Sequence, residues 1–296
     1  MPAPSPHLDG DPGIPGGAAL SVVIPMYNEA HRIRRTVGWL ADVAPVLSRH
    51  QSEIIFVNDG STDNTIAILR AALADQPAAP LTSARVISLP ANHGKGAAVL
   101  AGLAAARAPW TLIVDADLPV PMSAVDQLLA AGAPADVGLV VGERNYARAD
   151  VRTNPLRRLL STALRTFVGR LHGQPIGDTQ CGFKLYRAPF AAAVTQSGLA
   201  VEQRWAFDLE HIMLAPRLGW RVVGVEVPWE HRDGSRLNPF SDGFTFIRDA
   251  LRIARRARTL TPDPRWMARP AAPAAQPTTT LEPVVLTSAA RSAARP

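Results

Sequence analysis

The strongest constraint on the fold of this 296-residue chain is the alternation, through its first half, of short β-branched runs with longer helical patterns. Leu20 to Pro25, Glu53 to Asn58, Arg85 to Leu89 and Trp110 to Val114 read as strands, and Asp136 to Val141 as a further one. Helical periodicity separates them: Asn28 to Ser48, then a helix entered through the capping residues Ser61, Thr62 and Asp63 that runs on past Ile66, Leu69 and Ala72, then Gly96 to Arg107. Strands joined by helical crossovers make a mostly parallel sheet covered by helices, so the fold class is α/β. The second half is less regular. It carries amphipathic helices at Pro155 to Leu171, Phe207 to Leu218 and Phe240 to Arg258, with Trp220 to Val227 alternating as a strand.

A chain of this length, 47% hydrophobic, is enough for one domain with a full core. The division expected is a disordered Pro/Gly-rich segment over 1–18, the folded domain over 19–260, and a disordered Pro/Ala/Thr-rich tail over 261–296. The formal charge of +6 is concentrated at one end, where eight arginines from Arg252 onward face only Asp263 and Glu282. A neutral body with a basic end suits anionic lipid head groups better than a nucleic-acid groove, so no nucleic-acid partner is expected. Cys181 is the only cysteine, which excludes an intramolecular disulfide and suits a reducing compartment. No secretory signal and no apolar run of spanning length is visible, so work on a membrane implies a surface position or a separate anchoring protein.

In an open parallel sheet, ligands bind beyond the carboxyl ends of the strands. The segments there are Pro25-Met26-Tyr27-Asn28-Glu29, Asn58-Asp59-Gly60-Ser61, Asn92-His93-Gly94-Lys95-Gly96 and Asp115-Ala116-Asp117. Two aspartates one residue apart after a buried strand suit an oxygen-ligated Mg²⁺ or Mn²⁺ that also touches a diphosphate, since such an ion takes one or two protein carboxylates and keeps waters. The carboxylates of Glu29 and Asp59 suit the hydroxyls and amides of a nucleoside. Asp59-Gly60 is equally a turn signal, and Glu29 also suits the positive end of its helix. The Gly94-Lys95-Gly96 loop opens a helix and offers amides and an ammonium to phosphate without the spacing of a P-loop. Lys95 and Lys184 are the only lysines.

These residues carry a family resemblance. Ser21 to Glu29, Val57 to Asp63 and Asp115-Ala116-Asp117 resemble the motifs of the family 2 inverting glycosyltransferases, whose fold is GT-A. Asp178 to Tyr186, Arg204 to Glu210 and Gly234-Ser235-Arg236 resemble one branch, the dolichyl- or polyprenyl-phosphate β-glucosyltransferases, so that the similarity spans about Leu20 to Arg258. The resemblance implies inverting transfer of a hexose, glucose or an N-acetylhexosamine, from a UDP-sugar to polyprenyl phosphate at the cytoplasmic face of a membrane. It places Pro25, Tyr27, Glu29, Asp59, Lys95 and Asp115 at the nucleotide, and Asp115 and Asp117 at the metal and diphosphate. Arg144 falls near the transferred phosphates, Asp178, Gln180, Arg204 and Trp205 on the sugar and acceptor side, and Lys184 and Asp208 beside them, with Asp117, Arg144, Lys184 and Asp208 as the catalytic set. Two departures stand out: Asn58 replaces an acid often found before Gly60, and Pro119 stands where related mannosyl enzymes offer another metal ligand. The branch also commonly has an N-terminal membrane helix.

Pro155 to Leu171 has an apolar stripe (Leu156, Leu159, Leu160, Ala163, Leu164, Phe167, Leu171) beside Arg157, Arg158, Arg165 and Arg170, a pattern shared by interfacial and core-facing helices. Two further readings stay open at the sequence level. One is the same donor chemistry on a polysaccharide or protein acceptor, and the other is a non-catalytic nucleotide-sugar-binding protein.

Overall fold

The computed structural model describes residues 7–8, 19–76, 84–117, 120–144, 166–171, 173–174, 176–228, 239–261 and 263–267, with the backbone alone over 7–8 and 239–245. The strands are β1 (His7–Leu8), β2 (Leu20–Met26), β3 (Ser52–Asn58), β4 (Arg85–Ser88), β5 (Trp110–Val114), β6 (Val137–Arg144), β7 (Phe183–Arg187) and β8 (Arg221–Val227). The helices are α1 (Ile33–Asp42), α2 (Ala44–Arg49), α3 (Thr65–Ala74), α4 (Lys95–Ala105), α5 (Val125–Gly132), α6 (described over 166–171), α7 (Ala188–Gln196), α8 (Phe207–Arg217) and α9 (Pro239–Thr259). Pro155, Pro119 and the Gly234-Ser235-Arg236 motif lie outside the described residues.

The strands form one sheet in the order β1-β4-β3-β2-β5-β7-β6-β8. β4, β3, β2 and β5 are mutually parallel, and β6 and β8 share their direction because β7 is antiparallel to both β5 and β6. The α/β, mostly parallel expectation holds, with β7 as an inserted antiparallel strand. This reversal brings the start of β7 to the same edge as the ends of β2, β3, β5 and β6, where the loops of interest emerge.

Period-two alternation assigns the two faces. Val22, Ile24, Ile54, Phe56, Leu112 and Val114 turn to one side and pack with Ile33, Val37 and Leu40 of α1, Leu69 of α3 and Leu128 of α5. Val23, Ile55, Val57 and Ile113 turn to the other and pack with Val99 and Leu103 of α4, Phe190 of α7 and Ile212 of α8. Each fully buried aliphatic side chain contributes roughly 1.5–3 kcal/mol, so both faces are needed to hold the sheet. A methyl group on Gly102 would lie 2.3 Å from Val23 Cγ1, so glycine sets the approach of α4 to β2. A third cluster joins Val168 of α6, Leu209 and Met213 of α8, and Ala250, Ile253 and Ala254 of α9.

Several boundaries differ from expectation. The Asn28 to Ser48 helix is two helices meeting at Val43, with Pro45 in the first turn of α2, and it begins only at Ile33. Ser61, Thr62 and Asp63 do not cap α3 from the N-cap position, which is Asn64. The 1–18 segment was expected to be unstructured, yet His7–Leu8 pairs antiparallel with β4 through Ser88 and Ile87. The expected tail likewise retains a turn at Pro264–Trp266, with Trp266 packed on the core.

β7 was not anticipated, because a lysine stands second in its five residues. Phe183 and Leu185 face one core, while Lys184 and Tyr186 face α8, where Tyr186 Oη lies 3.1 Å from His211 Nδ1. Burial, helped by the charge of Lys184, pushes the His211 imidazole down to about 3, so it is neutral and shares a hydrogen bond with the Tyr186 hydroxyl at Nδ1. In the unfolded chain His211 titrates near its ordinary 6.5, so between about 6.5 and 3 the unfolded state binds the extra proton and stability falls as pH falls. Denaturant titrations from pH 7 to pH 4 are expected to show this loss, and His211→Phe to flatten it relative to the parent. An identical pH slope in both proteins contradicts the assignment.

Candidate active site

The loops at the carboxyl edge are tied to one another before any ligand is considered. Asn28 takes φ 53°, a left-handed conformation that asparagine tolerates. Its amide donates to Ser61 Oγ at 2.9 Å, and its side-chain oxygen accepts from the Thr62 amide at 2.9 Å. The Glu29 amide donates to Thr65 Oγ1 at 2.8 Å and the Ala30 amide to Asp63 at 3.2 Å. The capping-type residues therefore fasten the β2 loop. Asn58 accepts the Ser61 amide at 3.0 Å, an acceptor role that an amide fills as well as an acid.

Asp59 is buried, and its two carboxylate oxygens accept the amides of His93 and Gly94, each at 2.8 Å. This fixes the loop that starts α4. Gly94 has φ 105°, and a methyl group there would lie 2.5 Å from the Gln203 carbonyl oxygen, while the Ala97 amide donates to that same carbonyl at 3.0 Å. The segment before α8 is thus the other wall of the Lys95 loop. Glu210 in the first turn of α8 holds that wall by accepting the amides of Val201 and Glu202.

Lys95, delivered by these constraints, places Nζ 2.6 Å from Asp115 Oδ1 and 5.8 Å from the centre of the Trp205 ring. Asp115 leaves β5 beside the start of β7, and its amide donates to the Gly182 carbonyl at 3.1 Å. A methyl group on Gly182 would lie 1.9 Å from Asp115 Oδ2, so only glycine admits the carboxylate here. Burial would raise the Asp115 carboxyl, but the Lys95 ammonium, then Lys184 and Arg144, reverse this and hold it below the usual carboxylate range. Asp117 behaves oppositely: burial and the adjacent Asp115 charge push it up against Arg32 and Lys95.

Lys184 and Asp208 meet at 2.8 Å, both nearly sealed from solvent, and the Lys184 ammonium also donates to the Cys181 carbonyl. Both are buried close to Lys95 and Gly182, Lys184 being the residue expected on the sugar and acceptor side and Asp208 the one expected to orient the sugar. Arg144, at the end of β6, is gripped by Asp178 through Nε at 2.6 Å and Nη2 at 2.9 Å, a bidentate pair that holds the Asp178 carboxyl down against burial. Gln180 reaches the Trp205 carbonyl at 3.4 Å, and Trp205 is 56% exposed, while Phe207 is core. Arg204 is exposed beside Trp205; Pro25 is buried, and Tyr27 stands exposed at the mouth of the crevice. Two contributors were not singled out from sequence. Gly182 is one, and Arg32 is the other: it ion-pairs with Glu29 and lies 3.9 Å from Asp117. The three-residue spacing of Glu29 and Arg32 was the available signal for the latter.

Asp115 and Asp117 fit a divalent ion through the chemistry of their oxygens. Among the described residues no group of three or more His, Cys, Asp or Glu gathers to hold a metal, so the protein's share is limited to this pair, as suits an ion completed by water and diphosphate.

Strand-end acids and the Lys95 loop thus meet at the carboxyl edge of a doubly wound sheet. Residues 21–194 match the family model described as glycosyl transferase family 2, and the chain belongs to that family and is a glycosyltransferase of the GT-A fold. It is 33% identical over 244 residues to a dolichyl-phosphate beta-glucosyltransferase of Dictyostelium discoideum, covering 79% of this chain and 73% of the relative. The enzyme of that name from Drosophila melanogaster is 34% identical over 259 residues, covering 84% and 77%. Among solved structures, glucosyl-3-phosphoglycerate synthase of Mycobacterium tuberculosis in complex with Mn²⁺, UDP-glucose and phosphoglyceric acid superposes with a TM-score of 0.57 at 19% identity, over 83% of this chain and 81% of that one. That likeness is one of fold.

Gly182→Ala is expected to displace the Asp115 carboxylate and to lower turnover about a hundredfold, the order of loss that a misplacement near 1 Å brings. Cooperative thermal unfolding should persist. Activity within twofold of the parent contradicts the role given to this glycine.

Proposed function

We propose that this chain transfers a hexose, glucose before an N-acetylhexosamine, from a UDP-sugar to polyprenyl phosphate with inversion at the anomeric carbon. The observation that carries the reading is the Asp115–Asp117 pair with Lys95 at 2.6 Å, an acidic pair and a cation at the edge where a nucleotide diphosphate would lie. The names of the relatives support the donor and acceptor classes. Mg²⁺ or Mn²⁺ held by Asp115 and Asp117 would supply neutralisation of the departing diphosphate.

The remaining tasks fall to the chain. Pro25, Tyr27 and Glu29 bound the nucleoside end of the crevice, and Asp59 acts on it by fixing the Lys95 loop. Lys95 faces the diphosphate, and Arg144, oriented by Asp178, presents a fixed cation to the phosphates. Gln180, Arg204 and the exposed Trp205 ring form the sugar and acceptor side, while Lys184, paired with Asp208, adds positive charge to the surroundings of Asp115. A phosphate monoester has a second pKa near 6, so the attacking oxygen of the acceptor is largely ionised at neutral pH. Positioning and charge stabilisation therefore outweigh a strong general base.

The domain assigned this work is 19–260. We propose that it acts at the cytoplasmic face of a membrane, held peripherally and aided by a separate anchoring protein. Among the described residues no helix is long and apolar enough to cross a membrane. Phe167 of α6 and Ile247 and Leu251 of α9 are exposed apolar side chains, with Arg248, Arg252 and Arg255 exposed along α9, a mixture suited to anionic head groups.

The test is incubation with Mn²⁺, polyprenyl phosphate and a panel of UDP-sugars, with mass spectrometry of the organic-soluble product. A polyprenyl-phosphohexose is expected from UDP-glucose, and Asp117→Ala should remove most turnover while leaving the circular dichroism spectrum unchanged. Product confined to the aqueous phase overturns the lipid acceptor, and unimpaired Asp117→Ala overturns the assignment of the acid pair.

A further inference from the structure

α9 reaches the wall of the Lys95 loop through side chains far from the acid pair. Its apolar side, with Ala250, Ile253 and Ala254, packs with Leu209 and Met213 of α8. From beside that contact Arg252 extends its guanidinium to the segment before α8, where Nη2 lies 2.5 Å from Glu202 Oε2. The Arg252 side chain is 63% exposed and that of Glu202 only 7%. One turn on, Arg256 donates to the Gly198 carbonyl at 3.3 Å, so α9 holds the same segment at two points.

Glu202 is built into that segment from several directions. Its Oε1 accepts the Arg204 amide at 3.0 Å, and its own amide donates to Glu210 at 2.8 Å. A methyl group on Gly96 would lie 2.8 Å from the Glu202 carbonyl oxygen, so this backbone rests directly on the first turn of α4. The next carbonyl, that of Gln203, takes the Ala97 amide. A shift of Glu202 therefore moves the Lys95 loop on one side and Arg204 and Trp205 on the other.

Charge makes the position of Glu202 depend on α9. Burial raises the Glu210 carboxyl, the amides of Glu202 and Val201 and the charge of Arg256 pull it down, and the Glu202 carboxylate pushes it up again. The two acids thus sense each other in a poorly solvated place, and arginines of α9 stand against both. A nearly buried carboxylate stripped of its cation is costly to keep where it is. An arginine as exposed as Arg252 adds little to global stability, so its effect falls on the position of what it holds.

We propose that Glu202 is a positioning residue for the transfer reaction, with Arg252 as its anchor: the pair is a strut by which α9 sets the wall that carries Lys95 and Trp205 into place. The inference rests on this crevice being the UDP-sugar site.

The test combines hydrogen exchange followed by mass spectrometry with turnover of UDP-glucose and polyprenyl phosphate. Arg252→Gln should speed exchange over 93–99 and 199–206 while α9 keeps the parent's protection. It should also lower kcat/KM for UDP-glucose by about tenfold, short of the loss that a misplacement near 1 Å brings. Glu202→Gln should do the same, and the double variant no more than either alone, because both remove one interaction. Arg252→Lys, which keeps the charge, should restore most of both readouts. Arg248→Gln removes an equal charge from α9, but Arg248 pairs with Asp249 of the same helix, and exchange over both segments should stay at the parent's level. That comparison separates the strut from attraction of α9 to head groups. The positioning role is overturned if the two segments exchange as in the parent, if Arg248→Gln loosens them equally, if the two single effects add, or if the segments loosen with kcat/KM within twofold of the parent. A parent that forms no product from UDP-glucose overturns the donor reading and the positioning role with it, whatever the exchange shows.

Discussion

The arrangement depends on one half-buried charge, the Asp115 carboxylate at the end of β5. It sits where any side chain on Gly182 would intrude, with the Lys95 ammonium at 2.6 Å and the charge of Lys184 acting on it as well. An isolated carboxylate in such a place would be expensive, and the structure offsets that cost with cations instead of by protonation. The chain's only two lysines converge on this acid. A protein that uses arginine almost everywhere else places its two compact ammonium groups where a planar guanidinium would be harder to fit.

Placement of Lys95 is itself a product of the loops around it. Asp59 clamps the His93 and Gly94 amides, the Gln203 carbonyl takes the Ala97 amide, and Glu210 fixes the segment carrying Gln203. On the opposite side the β2 loop is stitched to the β3 loop through Asn28, Ser61, Thr62 and Asp63. Polar residues that read as caps or nucleotide ligands are thus spent partly on one another. The result is a crevice whose charges are fixed before a donor arrives, which is the condition for electrostatic stabilisation at low reorganisation cost.

Much of this was legible in the sequence because strand periodicity and strand-end residues are local signals. Trp110 to Val114 emerged with the bounds the structure gives, and the two aspartates follow directly. Long-range contacts were not legible. β7 carries Lys184 as its second residue, which argues against a buried strand until its partner Asp208, on a helix further along the chain, is known. The steric demand on Gly182 comes from an acid on a neighbouring strand, and the second neighbour of Asp117 is Arg32 at the entrance to α1. Resemblance to the glycosyltransferase motifs supplied names for residues, but not the burial of Lys184 and Asp208, which depends on their pairing across the fold.

The most direct test of the central claim, that the strand-end acid pair is where metal and diphosphate meet, is a crystal grown with Mn²⁺ and UDP-glucose and examined by anomalous scattering. The account predicts a manganese peak held by the Asp115 and Asp117 carboxylates, with the diphosphate between it and Lys95. Manganese and nucleotide bound together at a position touching neither aspartate would contradict it.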